Sequence, residues 1–327
     1  MADEWMPDIL GDGFEQRTLD LGQDDQGPVV ATLVRSVPSW FASLGRPLAD
    51  VDVLYVHGWS DYFFQVELAR FWTGLGARFH ALDLRRYGRS LREGQTPGYV
   101  SSLDLYDGDI EAALAAIGHG EGAAPKRRLV LLGHSTGGLT LTLWSARHPG
   151  RASALMLNSP WLELQVGAMA RQTLEPLVGI RARLDPLGSH PLVDFGFYTR
   201  AQRELGTLPD RDERAAWRPE IGFPTHPGWL AAIFEGHRRI AAGVDVGCPV
   251  LVLLSTRTTA PFAWSEAMTA SDSVLVVDDI ARSATRVGRL VTIGRIEGAV
   301  HDVFLSAPEP RGEAYRVMRE WILGVRM

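Results

Sequence analysis

Short apolar runs alternate with amphipathic stretches along most of the chain. The amphipathic stretches have the spacing of helices, within 63–75, 101–117, 139–147 and 314–323. The apolar runs have the length of buried strands, at 15–21, 29–37, 51–56, 78–84, 128–132, 152–157, 249–254 and 290–296. Alternation of this kind favours a mostly parallel sheet with helices on both faces. The sequence therefore predicts an α/β fold around an eight-stranded sheet.

The alternation stops between Trp161 and about Val246. This stretch carries several prolines, scattered aromatic residues and the charged run 210–214, and it shows no strand pattern. Long loops without secondary structure are uncommon in a compact domain unless they are functional. We interpret 161–246 as a mostly helical cap inserted into a core formed by 1–160 and 247–327. The charged run is then a solvated helix face.

Composition narrows the class of protein. The chain has 327 residues, of which 46% are hydrophobic and 22% are charged, as in an ordinary globular enzyme. The net charge of −6, without a basic tract, argues against a nucleic-acid partner. The single cysteine, Cys248, precedes an apolar run and is expected to be a small buried hydrophobe.

The sequence also bears on location. The N-terminal residues form no apolar signal core, and no apolar stretch reaches the ~20 residues of a membrane span. We therefore expect a cytoplasmic protein without stable membrane insertion. The sequence leaves its oligomeric state open.

The run Gly133-His134-Ser135-Thr136-Gly137 reads Gly-x-Ser-x-Gly and lies between a predicted strand and a predicted helix. At such a strand-to-helix turn the serine is strained and its hydroxyl projects above the sheet. The flanking Gly133 and Gly137 are needed because side chains would collide in so tight a turn. Ser135 is therefore the candidate nucleophile, and the helix after it points N–H groups at a developing oxyanion.

A serine nucleophile needs a histidine to accept its proton and a carboxylate to fix the histidine tautomer. These groups follow the serine in the chain order Ser, acid, His in folds with this turn. His301 lies in a Gly-containing loop after the last predicted strand and is the candidate base. The neighbouring Asp302 should point elsewhere and make a structural hydrogen bond.

The acid should follow the predicted strand 249–254. Asp272 lies there, before a predicted helix start, and is the candidate acid. Asp278 and Glu266 are the alternatives in the same stretch. Asp272 could also serve as an N-cap.

The loop after the third predicted strand is the candidate for the oxyanion hole. It reads His57-Gly58-Trp59-Ser60-Asp61, and Gly58 would let the backbone bend. We expect the Trp59 N–H and the Thr136 N–H to bind the oxyanion together. The alternative for His57-Gly58 is a plain turn that ends a strand.

Four segments of this chain resemble the serine α/β-hydrolase superfamily. More narrowly, the chain resembles the monoacylglycerol lipase and lysophospholipase-like branch, of serine aminopeptidase S33 type. The four segments are His57-Gly58-Trp59-Ser60, 83–90, Gly133-His134-Ser135-Thr136-Gly137-Gly138, and the run from Gly298 to Leu305. The likeness extends from about Val29 to the C-terminus.

The chain departs from this branch at two places. Arg86 stands where the branch usually has a glycine. The branch usually shows Gly-x-x-Asp after the strand that precedes its acid, whereas this chain has 255–259 there. Residues 260–271 then look like an inserted loop that delays the acid to Asp272.

The resemblance implies a serine hydrolase that cleaves a lipid-like or aliphatic carboxylic ester through an acyl-enzyme. It implies no metal and no organic cofactor. An acyltransferase, an amide or thioester hydrolase, and a non-catalytic binding protein of the same fold are the alternatives. Apolar residues of the predicted cap would suit such a substrate, namely Trp161, Leu162, Leu164, Phe195, Phe197, Tyr198, Trp229 and Phe234.

Overall fold

The computed structural model describes residues 4–37, 45–119, 127–164, 168–188, 196–209 and 215–325. Within these ranges nine strands form one sheet: β1 Met6–Pro7, β2 Phe14–Asp24, β3 Gly27–Ser36, β4 Val51–Val56, β5 Arg78–Asp83, β6 Arg128–His134, β7 Ala154–Asn158, β8 Val250–Ser255 and β9 Val291–Ile296. The α-helices in the same ranges are α1 Val66–Gly74, α2 Tyr106–Ala116, α3 Thr136–Arg147, α4 Ala168–Leu184, α5 Phe197–Glu204, α6 Pro227–Ala242, α7 Val277–Ala284 and α8 Pro308–Gly324.

The strands lie in the order β1-β2-β3-β5-β4-β6-β7-β8-β9. β1, β2 and β3 pair antiparallel, as do β3 and β5, and all pairs from β5 onward are parallel. This confirms the predicted mostly parallel sheet. The sequence predicted eight strands and missed β1. A strand of two residues is too short to produce a recognisable pattern of apolar positions. Loops that follow β4, β6, β8 and β9 all leave the same edge of the sheet.

Helices cover both faces of the sheet. Successive residues of β4 point to opposite faces, so Val53 and Tyr55 belong to one apolar cluster and Leu54 to the other. The first cluster contains residues of α1 and α8, including the fully buried Trp72. The second contains residues of α2, α3, α6 and α7, including the fully buried Trp144. The sheet is therefore a rigid base for the loops at its carboxyl edge.

The segment between β7 and β8 contains α4, α5 and α6, and α4 packs against α6. Of its predicted apolar residues, Leu162, Trp229 and Phe234 are buried in this structure. The charged run 210–214 and Phe195 lie outside the described residues. In the part of the chain that the structure covers, no helix is both long enough and apolar enough to cross a bilayer.

Candidate active site

Ser135 lies at the sharp turn between β6 and α3. Its backbone has φ 52° and ψ −116°, a conformation that costs free energy for any residue with a Cβ. Two backbone hydrogen bonds hold the turn: Ser135 N–H donates to Asn158 O at 3.0 Å, and Trp161 N–H donates to Ser135 O at 3.0 Å. The Ser135 side chain makes no capping hydrogen bond to α3. The Ser135 hydroxyl is therefore not engaged in capping α3.

The glycines of this turn are required by close packing. A Cβ at Gly137 would lie 2.3 Å from His57 O, and a Cβ at Gly133 would lie 2.7 Å from Gly138 N. Both collisions agree with the steric reason predicted from the sequence. Gly58 differs, because its φ lies outside the left-handed region and an added Cβ would lie 3.0 Å from His134 Cδ2 and 3.1 Å from Ser135 Cβ. Gly58 therefore serves close approach to Ser135 rather than bending of the backbone.

Gly137→Ala is expected to destabilise the protein by about 3 kcal/mol or more, because backbone oxygens of β4 and its following loop must move. Urea unfolding measures this change. Gly179→Ala is the matched control, since that helical position has nothing within 4 Å of an added Cβ and alanine favours helix by up to ~1 kcal/mol. Equal stability of the two variants would contradict the tight elbow.

His301 and Asp272 meet in a buried hydrogen bond. His301 Nδ1 lies 2.9 Å from Asp272 Oδ2, and both side chains are at most 3% exposed. The other oxygen, Asp272 Oδ1, accepts from Val274 N–H at 2.8 Å and from Leu275 N–H at 2.7 Å. Three hydrogen bonds therefore fix the carboxylate against the imidazole. Asp272 caps no helix, because α7 begins only at Val277.

Asp272 follows β8 by 17 residues, but a backbone pairing with Thr258 brings it back to the end of that strand. Asp272 N–H donates to Arg257 O at 2.9 Å, and Thr259 N–H donates to Asp272 O at 2.9 Å. Thr258 and Asp272 thus form a parallel bridge just beyond β8. Residues 260–271 leave the edge of the sheet and return to it, so that Asp272 lies beside the end of the strand.

The two alternative acids lie elsewhere. Asp278 is 74% exposed at its side chain and forms a 2.7 Å ion pair with Arg295. Glu266 is exposed at the start of a short 3-10 turn over Glu266–Ala270. Among the three carboxylates proposed from the sequence, Asp272 is the one that the fold brings to His301.

The second ring nitrogen of His301 is not engaged by Asp272. Nε2 is buried and has no hydrogen-bond partner among the residues described here. The ring lies with its centroid 4.9 Å from the His134 ring and 5.5 Å from the Tyr198 ring. Burial lowers the pKa of His134 to about 4, so this neighbour is neutral near pH 7.

The candidate oxyanion loop, residues 57–61 (the oxyanion loop below), is held in place by the side chain of His57. Leu84 N–H donates to His57 Nε2 at 3.1 Å, so the proton lies on Nδ1, which donates to Gly58 O at 2.7 Å. Burial lowers the pKa of His57 and keeps it in this neutral form. These two hydrogen bonds tie the loop to the end of β5. A turn that merely ended β4 would not need such side-chain bonds.

The predicted oxyanion donors lie on either side of the serine. Thr136 is the first residue of α3, where helix N–H groups have no acceptor within the helix. The 3.1 Å separation between Ser135 Cβ and an added Cβ on Gly58 brings the backbone next to Trp59 close to the serine. The Trp59 ring packs against the ring of Trp229 of α6, with centroids 3.7 Å apart and the planes tilted by 36°.

A buried polar cluster supports the loop of His301, and most of it was not predicted. Asp302 accepts from Asn158 Nδ2 at 2.6 Å and from Gln65 Nε2 at 3.1 Å, which is the structural role expected for it. Asn158 Oδ1 accepts from Val303 N–H at 3.1 Å. The signal in the sequence was a polar residue, Asn158, at the end of an otherwise apolar strand.

Arg86 occupies a glycine-like conformation. Its φ is 64°, which explains why a glycine would be favoured at this position. The side chain is 4% exposed and donates to Asp24 Oδ2 at 2.5 Å and to Tyr99 O at 2.7 Å. These bonds offset the backbone strain, so an arginine here ties the loop to β2.

Metal ligands and a reactive thiol are two other common sources of hydrolytic chemistry. Within the described ranges, no group of three or more His, Cys, Asp or Glu side chains is arranged to hold a metal ion. Cys248 is partly buried, and burial raises the pKa of its thiol to about 12. It is therefore a poor nucleophile at neutral pH.

The sheet, the elbow at Ser135 and the loops around it define an α/β-hydrolase fold. Residues 49–259 match the serine aminopeptidase S33 family, and the chain belongs to that family. The match ends at Thr259, where the excursion 260–271 begins. Asp272 and His301 lie beyond it, and their pairing is seen in the structure alone.

Solved structures give the same fold. A soluble variant of monoglyceride lipase from Saccharomyces cerevisiae is 14% identical, with a TM-score of 0.64 over 94% of this chain and 95% of that chain. Monoacylglycerol lipase from Paleococcus ferrophilus is 20% identical, with a TM-score of 0.58 over 83% and 93%. An esterase from Thermogutta terrifontis is 17% identical, with a TM-score of 0.54 over 94% and 98%. A comparison with curated proteins finds no match.

Proposed function

We propose that this protein is a serine hydrolase that cleaves a carboxylic ester through an acyl-enzyme. The observation that carries the proposal is the buried 2.9 Å bond between His301 Nδ1 and Asp272 Oδ2, with Nε2 left to accept a proton. Ser135 supplies the nucleophile at the strained turn after β6. Membership in a family of serine hydrolases agrees with this assignment.

The proposed reaction has two halves. Nε2 of His301 takes the proton of the Ser135 hydroxyl while the serine oxygen attacks the ester carbonyl, and Asp272 stabilises the imidazolium. The N–H groups of Trp59 and Thr136 bind the oxyanion, and each such donor is typically worth ~10²–10³ in rate. His301 then protonates the leaving alcohol. In the second half it activates water, which releases the acid from Ser135.

We also propose that 161–246 acts as a cap over this site. Two contacts support it: Tyr198 of α5 meets the His301 ring edge-on at 5.5 Å, and Trp229 of α6 packs against Trp59 at 3.7 Å between ring centroids. The ring centroids of Trp161 and Trp229 lie 6.0 Å apart, and the backbone N–H of Trp161 donates to Ser135 O. Apolar rings so close to the serine favour an aliphatic or lipid-like acyl group.

We infer the class of substrate from the aromatic rings near Ser135 and from the proteins that share the fold. The monoacylglycerol lipases and the esterase with this fold agree with an ester substrate. We propose a cytoplasmic enzyme that acts on such esters without a nucleic-acid partner or stable membrane insertion, and without a metal or organic cofactor. These last points stay predictions from the sequence.

A fluorophosphonate probe tests the nucleophile, and a series of p-nitrophenyl esters tests the reaction. We expect the probe to label Ser135, identified by mass spectrometry of the labelled peptide, and the esters to be hydrolysed with a preferred acyl length. Labelling with turnover only when an alcohol or thiol acceptor is added would favour an acyltransferase. Preference for amino-acid p-nitroanilides would favour amide hydrolysis. An unlabelled, inactive protein would leave the binding-protein alternative.

A further inference from the structure

The short helix α5 contacts the loop that carries His301. The phenol oxygen of Tyr198 accepts from Asp302 N–H at 3.0 Å, one residue after His301. The same oxygen accepts from Gln202 Nε2 at 2.9 Å, one turn further along α5. Burial and the charge of Asp302 raise the pKa of Tyr198, so the phenol stays neutral at all working pH values. Its oxygen therefore acts as a fixed acceptor for the backbone of the base loop.

The same chain of hydrogen bonds continues to the oxyanion loop. Gln202 is fully buried, and its Oε1 accepts from Arg218 Nη2. Arg218 Nε donates to Asp61 Oδ1 at 3.1 Å, and both side chains are about one-tenth exposed. Asp61 lies two residues after Trp59, the predicted oxyanion donor. One line of buried polar groups thus joins the base loop to the oxyanion loop through α5.

The acid loop also rests on α5. The guanidinium of Arg200 lies 3.9 Å from the centroid of the Trp264 ring, which belongs to the excursion 260–271. Phe197 contacts the same ring with centroids 6.2 Å apart. The helix therefore contacts the base loop and the acid loop directly, and it reaches the oxyanion loop through Arg218.

We propose that Tyr198 is a positioning residue, whose phenol oxygen fixes the His301 ring through the N–H of Asp302. The inference rests on the proposed function, because it concerns the orientation of the proposed base. Tyr198 makes two contacts with the pair His301-Asp302. Its phenol oxygen accepts from the backbone N–H of Asp302, and its ring meets the His301 imidazole edge-on at 5.5 Å. Among the described residues Asp272 is the hydrogen-bond partner of the imidazole, and the contacts with Tyr198 add a second restraint on rotation of the ring. Small errors in such an orientation lower the rate strongly.

Tyr198→Phe separates the two contacts, because it keeps the ring and removes the acceptor. We expect kcat for a p-nitrophenyl ester to fall about tenfold, the worth of one net hydrogen bond, with KM changed less than twofold. The rate of fluorophosphonate labelling at Ser135 should fall by a similar factor. Arg203→Gln is the matched control on the same helix, since the Arg203 side chain forms an exposed ion pair with Glu220 at 2.9 Å, and it should leave both rates unchanged.

A double-variant cycle distinguishes positioning from a general structural role. In a His301→Gln background, Tyr198→Phe should have no further effect on the residual hydrolysis, because the group that it positions is gone. A second tenfold loss there would show that Tyr198 acts independently of His301 and would overturn the inference. So would a Tyr198→Phe variant with wild-type kcat. A wild-type protein that neither reacts with the probe nor hydrolyses esters would instead contradict the proposed function.

Discussion

Ser135→Ala is expected to lower kcat for ester hydrolysis by about 10⁶-fold, the loss found when a triad nucleophile is removed. The reason is chemical, since no other group of the turn can form the acyl-enzyme. The change should leave the fold intact, because the turn is held by backbone bonds of Ser135 to Asn158 and Trp161 and by the neighbouring glycines. Alanine keeps the Cβ that already tolerates φ 52°.

The measurement is steady-state hydrolysis of the best p-nitrophenyl ester, with unfolding curves beside it. Ser145→Ala is the matched control, because Ser145 lies in the same helix α3 and its buried hydroxyl has no partner among the described residues. It should retain wild-type kcat and equal or greater stability, since alanine favours helix. Ester hydrolysis that survives in Ser135→Ala would place the nucleophile elsewhere.

The elbow was predictable because its information is local. A strand, a Gly-x-Ser-x-Gly turn and a helix follow one another in 20 consecutive residues, Arg128–Arg147, so apolar period and glycine spacing suffice. The order of the parallel strands likewise puts the end of β9 and the end of β6 at one edge. His301 and Ser135 could therefore be proposed as base and nucleophile from their positions along the chain.

The supporting contacts were not predictable, because they join distant parts of the sequence. Asn158 holds Asp302 across 144 positions, and Gln65 holds it across 237. In the sequence Tyr198 is recognisable only as an apolar residue of the predicted cap, and its hydrogen bond to Asp302 N–H depends on how α5 lies on the core. A single sequence shows which residue types are present, but it does not show which of them contact each other in the fold.

The excursion 260–271 shows why the acid was the harder residue to assign. Lengthening a surface loop costs little chain entropy, about 0.6 kcal/mol for each doubling, so an insertion before the acid is tolerated. What must be kept is the return to the strand end, and the Thr258–Asp272 bridge provides it. Counting residues from β8 would favour earlier positions, whereas the pairing selects Asp272.

Asp272→Asn is expected to lower kcat by about 10⁴-fold, as the same change does in other Ser-His-Asp triads. The amide oxygen can still accept from Val274 N–H and Leu275 N–H, which directs the NH₂ group toward His301 Nδ1. That nitrogen must then be the acceptor, and the proton moves to Nε2. An imidazole in this tautomer cannot take the proton of Ser135.

Asp278→Asn is the matched control for the acid. Asp278 is the second candidate from the sequence, and its exposed pair with Arg295 is worth at most about 1 kcal/mol. We expect wild-type kcat for this variant and unchanged unfolding curves for both. A severe loss at Asp278 with a mild one at Asp272 would reassign the acid. A mild loss at both would mean that His301 needs no carboxylate partner, and the buried 2.9 Å bond would then be structural rather than catalytic.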